Sequence, residues 1–274
     1  MTTEAAYQIC LRIARKHYEN FPVASWLVPS NLRQPIAAIY AFARRADDVA
    51  DEGDADATSR QQILSTFRQR LRKPLADDAV DVALADTIAR FDLPLSVFDR
   101  LLDAFVDDTG HRAFTTWQQV MAYCSNSADP VGELLLRLDH APNTPSESAI
   151  SASNAVCTAL QVTNFLQDAA ADRARGRQYL PLEDAEIIRR TYALYEHGCA
   201  TLGSIRSRRL RWEVAMTIAG GVTMLDLCAR RADPAERPAL GLRHAWHVLR
   251  RLTHVMRHKP LVMQSISRRH GSNS

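Results

Sequence analysis

Apolar residues recur every three to four positions along most of the chain, which is the period of an α-helix that buries one face. Alternation of apolar and polar residues between turn residues, the pattern of a half-buried strand, is scarce. We therefore predict an all-α fold. The predicted helices cover residues 5–17, 33–50, 60–71, 80–90, 97–107, 116–139, 148–172, 187–204, 208–231 and 239–257.

One predicted helix carries a break. Asp129-Pro130-Val131-Gly132 lies in the middle of the 116–139 segment, and both proline and glycine weaken a helix interior. Such a break serves ligand approach in some proteins and is a packing kink in others, and the sequence leaves both open. The chain has 274 residues, 46% of them hydrophobic, which suffices for one large core. We expect a single domain over residues 1–257 and a mobile basic tail over residues 258–274.

Two pairs of aspartates, Asp47 with Asp51 and Asp168 with Asp172, show the same spacing of four residues. On a helix this spacing places both carboxylates on one face about 6 Å apart, where they repel by roughly 3 kcal/mol at an effective dielectric constant near 20. A lone pair of this kind is more typical of a solvated surface. Here each pair follows an apolar stretch, so we expect the carboxylates to point inward and to need cations. Mg²⁺ takes such oxygen ligands and shares them with substrate phosphates.

The net charge and the cysteines limit which classes of function and which cellular compartment fit the sequence. The net charge of +3 is too small to indicate nucleic-acid binding, and no glycine-rich dinucleotide loop follows a strand pattern. Five cysteines without a CxxC pair predict a reduced protein, and no uninterrupted apolar stretch reaches 18 residues. We expect a cytoplasmic protein. The basic segment from Arg250 to His270 indicates either contact with an anionic membrane surface or a solvated helix end with a frayed tail.

Four stretches of the chain resemble the squalene/phytoene synthases: residues 38–51, Tyr123-Cys124, residues 161–168 and residues 176–181. Within that family, residues 17–27 are similar to the bacterial hydroxysqualene synthases of the hopanoid pathway. Many relatives carry a Ser-Lys/Arg-Ser type of triplet where this chain has Tyr18-Glu19-Asn20, which argues against a plain phytoene synthase.

This resemblance implies an isoprenoid-synthase bundle around a central cavity, with the two acidic motifs facing each other at its mouth. It implies Mg²⁺ as the cofactor and a prenyl diphosphate as the substrate. The implied metal ligands are Asp47, Asp51, Asn164, Asp168 and Asp172. The implied substrate-binding residues are Asn20, Phe21, Arg44, Gln161, Asn164 and Arg177, and Tyr40 lies close to the reacting carbons.

The implied reaction is the Mg²⁺-dependent conversion of presqualene diphosphate to hydroxysqualene with release of diphosphate. Aromatic residues would shield the carbocation, and the available ones are Phe21, Trp26, Tyr40, Phe42 and Phe165. One alternative is head-to-head condensation of two prenyl diphosphates. Another is an inactive family member that binds lipid or assembles with neighbouring pathway enzymes. The family usually has a longer connection after the position of Leu182. The shorter one in this chain predicts a reduced lid over the site.

Overall fold

A computed structural model describes residues 1–16, 28–51, 55–110, 113–174, 176–233, 235–257 and 261. The all-α prediction is confirmed. The described residues form α1 (Thr3–Lys16), α2 (Ser30–Asp51), α3 (Ala57–Arg72), α4 (Ala79–Phe91), α5 (Leu95–Asp108), α6 (Trp117–Ser127), α7 (Asp129–His140), α8 (Glu147–Ala174), α9 (Asp184–Gly198), α10 (Thr201–Ser204), α11 (Arg208–Arg230), a 3₁₀ turn (Leu242–His244) and α12 (Ala245–Met256).

Three predicted helices end differently from the prediction. The 116–139 segment is divided at Ala128 into α6 and α7, because Pro130 fits only the first turn of a new helix. The segment predicted over 187–204 ends its main helix at Gly198 and adds the single turn α10. The helix predicted from residue 239 begins only at Ala245, after the 3₁₀ turn. In each case a helix break or a single turn interrupts an apolar pattern that is continuous in the sequence.

The helices pack as one bundle whose two parts share α7. In the first part α2 packs against α1, α3, α4 and α5, and in the second α8 packs against α9, α10 and α11. The central helix α7 contacts α2 and α5 on one side and α8 on the other. One hydrophobic core runs through both parts and includes Leu261, a residue of the predicted basic tail. The rest of that tail lies outside the described residues.

Helix α11 is, among the described helices, the one long and apolar enough to cross a membrane by length and composition. In the bundle it behaves as a core helix, since it packs against α8, α9 and α12 and buries residues such as Ile218, Val222 and Leu225. All five cysteines are free thiols, and burial raises the pKa of each of them. This arrangement agrees with the predicted absence of disulfides.

The contact between α8 and α9 depends on a glycine. A Cβ atom on Gly198 would lie 2.5 Å from Cγ2 of Val156, 3.0 Å from the Val156 backbone nitrogen and 3.2 Å from the Ala152 carbonyl oxygen. Two of these neighbours are backbone atoms of α8, which cannot move aside without shifting the helix. The close approach therefore allows only glycine at this position.

We expect Gly198→Ala to lower the free energy of unfolding by about 1–3 kcal/mol, because the added methyl group forces α9 away from α8. Urea denaturation measures the change. Gly220→Ala is the matched control, since Gly220 lies inside α11 and a Cβ there meets nothing within 4 Å. This control should be neutral or stabilise by up to about 1 kcal/mol through helix propensity. Equal stability of the two variants would contradict the packing argument.

Candidate active site

One face of α2 changes from apolar to acidic along its length. Ile36, Tyr40, Arg44, Asp47 and Asp51 follow one another at spacings of four, four, three and four residues, so they share a face of the helix. The first four line a cavity of about 270 Å³ between α2, α5 and α7. We call it the α2 cavity. The first acidic motif therefore begins, at Asp47, beside an apolar cavity.

One face of α8 shows the same change. Ser153, Cys157, Gln161 and Asn164 line a second cavity, of about 250 Å³, bounded by α7, α8, α10 and α11. The same face continues at spacings of four residues to Asp168 and Asp172. We call this space the α8 cavity. It extends along about 16 Å of α8, from Ser153 to Asn164, at 1.5 Å per residue.

The two cavities have walls in common. Ile36, Val131 and Leu135 line both of them, and two of these residues come from α7. Val131 belongs to the Asp129–Gly132 break, so the break lies against both cavities. Together the cavities reach the size range of ligand pockets, roughly 300–1,000 Å³.

Arg177 connects the two acidic motifs. Its guanidinium donates a hydrogen bond to Asp51 across 3.2 Å, and its backbone N–H donates to the carbonyl oxygen of Asp172 across 2.8 Å. Gly176 makes the required turn after α8 with φ of 73°, a conformation that side chains other than glycine rarely adopt. The end of the first motif and the end of the second therefore meet at Arg177.

Arginines also hold the other motif residues. Arg44 pairs with Asp47 at 3.1 Å and with Asp48 at 2.6 Å. Arg237, from the segment after α11, pairs with Asp168. The side chains of Asp47, Asp51 and Asp168 are 41%, 47% and 35% exposed, so the expectation of inward-pointing, buried carboxylates was too strong. They lie at the mouth of the bundle because the helices end there, and water and arginine both reach them.

An aromatic cluster packs beside the motifs. Tyr179 stacks on Phe165, with ring centroids 4.4 Å apart and an angle of 11° between the planes, and Tyr123 packs against both rings. The Tyr123 hydroxyl donates to Asp108 at 3.0 Å. Burial raises the pKa of Tyr179, Arg177 opposes this shift, and the charges of Asp108, Asp172 and Asp51 add to it. The Tyr179 phenol therefore lies within electrostatic reach of both acidic motifs.

The sequence did not predict that Asp108 lies beside the aromatic cluster at the site, or that Arg237 contacts Asp168. One signal for Asp108 was present: α5 ends in Asp107 and Asp108, although acidic residues in the last turn oppose the helix dipole. The short connection after Leu182 is as expected, since α9 begins at Asp184. The stretch just before that connection is fixed at Gln178, whose carbonyl oxygen accepts a hydrogen bond from the Phe114 backbone N–H.

Residues 231–233 and 235–241, which we call the strap, lie along the second motif. Arg231 donates to the Leu166 carbonyl oxygen at 2.7 Å and to Asp184 at 2.8 Å. Gln167 donates to the Pro238 carbonyl oxygen at 2.8 Å. Together with the ion pair between Arg237 and Asp168, these contacts fix the strap on the end of α8.

The remaining predicted residues divide into three groups. Tyr40 lines the α2 cavity, and burial raises the pKa of its hydroxyl. Phe42 was predicted to shield the cavity but packs against Phe67 and Phe98 instead, because it occupies another face of α2. Asn20 and Phe21 lie outside the described residues, as do Tyr18, Glu19 and Trp26.

The donor types at the mouth fit a hard divalent cation. Carboxylates and an amide oxygen, as on Asn164, are the ligands that Mg²⁺ accepts, and Mg²⁺ is commonly held by one or two carboxylates together with substrate phosphates. Within the described ranges, no three His, Cys, Asp or Glu side chains come together as a complete metal cage. Three of the four motif carboxylates, those of Asp47, Asp51 and Asp168, are instead paired with arginines.

A model of the squalene/phytoene synthase family matches residues 14–188, which is more than half of the chain. The chain belongs to the squalene/phytoene synthase family. A hydroxysqualene synthase of Zymomonas mobilis is 37% identical over 173 residues, which cover 62% of this chain and 57% of that protein. A hydroxysqualene synthase of Rhodopseudomonas palustris is 36% identical over 173 residues, covering 62% and 58%. A 15-cis-phytoene synthase of Synechocystis is 33% identical over 197 residues, covering 68% and 58%.

The matches thus span a little under three fifths of the length of these three curated relatives. Among solved structures, the squalene synthase HpnC from Alicyclobacillus acidocaldarius is similar with a TM-score of 0.75 and 31% identity, covering 83% of this chain and 94% of that chain. A dehydrosqualene synthase solved with a ligand shares the fold with a TM-score of 0.75 at 21% identity, covering 93% and 97%.

The exposure of the motif carboxylates predicts that they are dispensable for folding. We expect Asp51→Asn and Asp168→Asn to change the free energy of unfolding by less than about 1 kcal/mol, since half-exposed ion pairs stabilise little. Glu133→Gln is the matched structural control. Glu133 is 7% exposed and accepts hydrogen bonds from Arg100 and Arg137, so its loss should cost about 1–3 kcal/mol. Guanidinium denaturation without Mg²⁺ measures all three, and a large loss in the aspartate variants would mark these residues as structural.

Proposed function

We propose that the protein is a Mg²⁺-dependent enzyme that ionises a prenyl diphosphate, and that it converts presqualene diphosphate to hydroxysqualene. The observation that carries the proposal is the pair of helix faces on α2 and α8. Each runs from an apolar cavity to an acidic pair, and Arg177 joins the two ends through Asp51 and Asp172. A long apolar substrate with a diphosphate head matches a site that has an apolar interior and a charged mouth.

The reaction begins with heterolysis of the bond between carbon and the diphosphate oxygen. The electron pair leaves with the diphosphate, and the negative charge on the leaving group must be neutralised as it grows. Asp47, Asp51, Asp168 and Asp172, with Asn164, would hold Mg²⁺, which when bound offers Lewis-acid stabilisation of the diphosphate oxygens. The carboxylates thereby set where the head of the substrate lies.

Arginines at the mouth would bind the diphosphate oxygens directly. Charge-assisted hydrogen bonds from guanidinium groups to phosphate are short and strong, and the groups available are Arg44, Arg177 and Arg237. In the structure each of them is already oriented toward a motif aspartate. Diphosphate oxygens would replace the aspartate oxygens as acceptors, so little movement of the guanidinium groups is needed to stabilise the developing anion.

The carbocation left behind lies in the apolar part of the site. Tyr40 stands one turn before Arg44, so its ring lines the cavity next to the charged end. The walls shared by the two cavities exclude water from most of the chain of the substrate. For hydroxysqualene, the cyclopropylcarbinyl cation first rearranges, and a C–C bond of its cyclopropane ring breaks as one water molecule attacks. The water oxygen forms the new C–O bond, and its proton passes to solvent or to the released diphosphate.

Two relatives named as hydroxysqualene synthases, at 37% and 36% identity, support this product over others. The alternative within the family is condensation of two prenyl diphosphates, and the relatives named as phytoene synthases favour it. An inactive member that binds lipid or assembles with pathway enzymes is a third candidate. The retention of all four aspartates argues against it.

The substrate is tested by incubating the purified protein with Mg²⁺ and either presqualene diphosphate or farnesyl diphosphate. We expect pyrophosphate release and a product of hydroxysqualene mass from presqualene diphosphate. Asp47→Asn and Asp168→Asn should lower turnover by at least about 100-fold, since each removes a charge that positions the leaving group. Asp103→Asn, which removes a carboxylate 54% exposed and paired with Arg68, is the control and should leave turnover unchanged.

Turnover of farnesyl diphosphate alone would replace the proposed reaction by condensation. Absence of turnover with both substrates, in a folded protein that still binds inorganic pyrophosphate, would favour the inactive family member.

Arg237 is expected to contribute to diphosphate binding. Arg237→Gln should weaken the binding of inorganic pyrophosphate in the presence of Mg²⁺ by about tenfold, the effect of losing one charge-assisted hydrogen bond. Isothermal titration calorimetry measures the change. Arg189→Gln provides the control, because Arg189 is a similarly exposed arginine that pairs with Glu186 on α9. If Arg237→Gln binds pyrophosphate with unchanged affinity, the role of Arg237 is limited to holding the strap.

A further inference from the structure

Exposed apolar side chains are concentrated in one short stretch. Leu240, Leu242, Trp246 and Leu249 are 43%, 97%, 74% and 49% exposed. Among the described residues, the other large apolar side chains with comparable exposure are scattered singly, and they are Met1, Ile63, Leu75 and Trp212. Single exposed apolar residues are ordinary, whereas a group of four within ten residues marks a contact surface. We call the group the 240–249 surface.

The helix geometry places part of this surface on one side of α12. Leu252 and Val255 face the core, while Trp246, Leu249 and Arg250 lie on the opposite side at spacings of three and four residues. The 3₁₀ turn that precedes α12 is held by His244, whose ring accepts a hydrogen bond from the Gly241 backbone at 2.9 Å. This turn presents Leu242 almost fully to solvent, beside the exposed side of the helix.

The charge around the surface has one sign. Residues 237–274 contain eight of the 34 Lys and Arg residues and none of the 31 Asp and Glu residues, which leaves 26 basic against 31 acidic residues, a net charge of −5, for residues 1–236. Arg243 and Arg250 lie among the exposed apolar side chains, and Arg257 follows at the end of α12. Tryptophan, leucine and arginine together are the composition of an interfacial membrane helix.

We propose that the 240–249 surface docks on an anionic lipid bilayer. Leu242, Trp246 and Leu249 would enter the boundary between headgroups and acyl chains, and Arg243 and Arg250 would bind lipid phosphates. A second copy of the chain fits less well, because a symmetric contact through this surface brings like-charged arginines together. An anionic membrane satisfies both the apolar and the basic components. This inference does not depend on which prenyl diphosphate the enzyme uses.

The position of the surface connects it to the active site. Leu240 belongs to the strap, three residues after Arg237, which pairs with Asp168, and two residues after Pro238, which accepts a hydrogen bond from Gln167. Docking would therefore hold the strap, and with it the mouth of the bundle, close to the lipid phase. An apolar substrate or product can then pass between bilayer and cavity with little exposure to water.

Vesicle flotation of the full chain tests the proposal, with vesicles of phosphatidylcholine alone and of phosphatidylcholine mixed with phosphatidylglycerol. We expect binding to the anionic vesicles, little binding to the neutral ones, and weaker binding at high salt. The double variant Leu242→Ser with Trp246→Ser should bind anionic vesicles at least about tenfold more weakly. Arg243→Gln with Arg250→Gln should remove the preference for anionic lipid.

The matched control is Leu75→Ser with Trp212→Ser, which removes one exposed leucine and one exposed tryptophan from other parts of the surface. It should bind vesicles as the unmodified chain does. Equal loss of binding in both double variants would overturn the proposal, and so would failure of the unmodified chain to bind either vesicle. Sedimentation velocity provides the remaining outcome, because a dimer that Leu242→Ser with Trp246→Ser dissociates, without vesicle binding, would assign the surface to self-association.

Discussion

Carboxylates four residues apart on one helix repel each other, and the protein keeps two such pairs at the mouth of an apolar bundle. Arginines make this arrangement tolerable: Arg44 serves the first motif, Arg237 the second, and Arg177 joins the two. Because the ion pairs are half-exposed, they stabilise the fold only weakly. Their main effect is positional, since each holds a guanidinium group where an incoming diphosphate would need one.

The same arginines reconcile two opposite electrostatic requirements of the proposed chemistry. A site for a metal and a diphosphate must be acidic enough for the cation and basic enough for the anion. In the structure, Asp47, Asp51 and Asp168 pair directly with Arg44, Arg177 and Arg237. A bound cation would draw these carboxylates and a bound diphosphate the guanidinium groups, so Asp47, Asp51 and Asp168 would exchange one charged partner for another. The positions of these carboxylates and guanidinium groups are in this sense already close to those that the proposed reaction requires.

Much of the fold was predictable because its determinants are local. The period of apolar residues located most helices to within a few positions, and the spacing of Tyr40, Arg44, Asp47 and Asp51 placed them on one face of α2. Contacts between distant parts of the chain were not predictable in the same way. Arg177 and Asp51 are 126 residues apart, and Arg237 and Asp168 are 69 apart. No periodicity within either segment specifies such a partner, and the partial exposure of the carboxylates follows from the same long-range packing.

The strap offers a physical reason why the short connection after Leu182 need not leave the site open. The stretch that leads into this connection is held to one side of the mouth, where the Gln178 carbonyl oxygen accepts a hydrogen bond from the Phe114 backbone and Tyr179 stacks on Phe165. The other side of the mouth is covered by the strap, in which Arg237 pairs with Asp168. The strap continues directly into the 240–249 surface, which is apolar and basic. Contact of this surface with lipid would therefore be coupled to coverage of the site by the strap. Water would then be excluded from the carbocation by the strap and the bilayer together, and the connection after α8 would need to do no more than position Arg177.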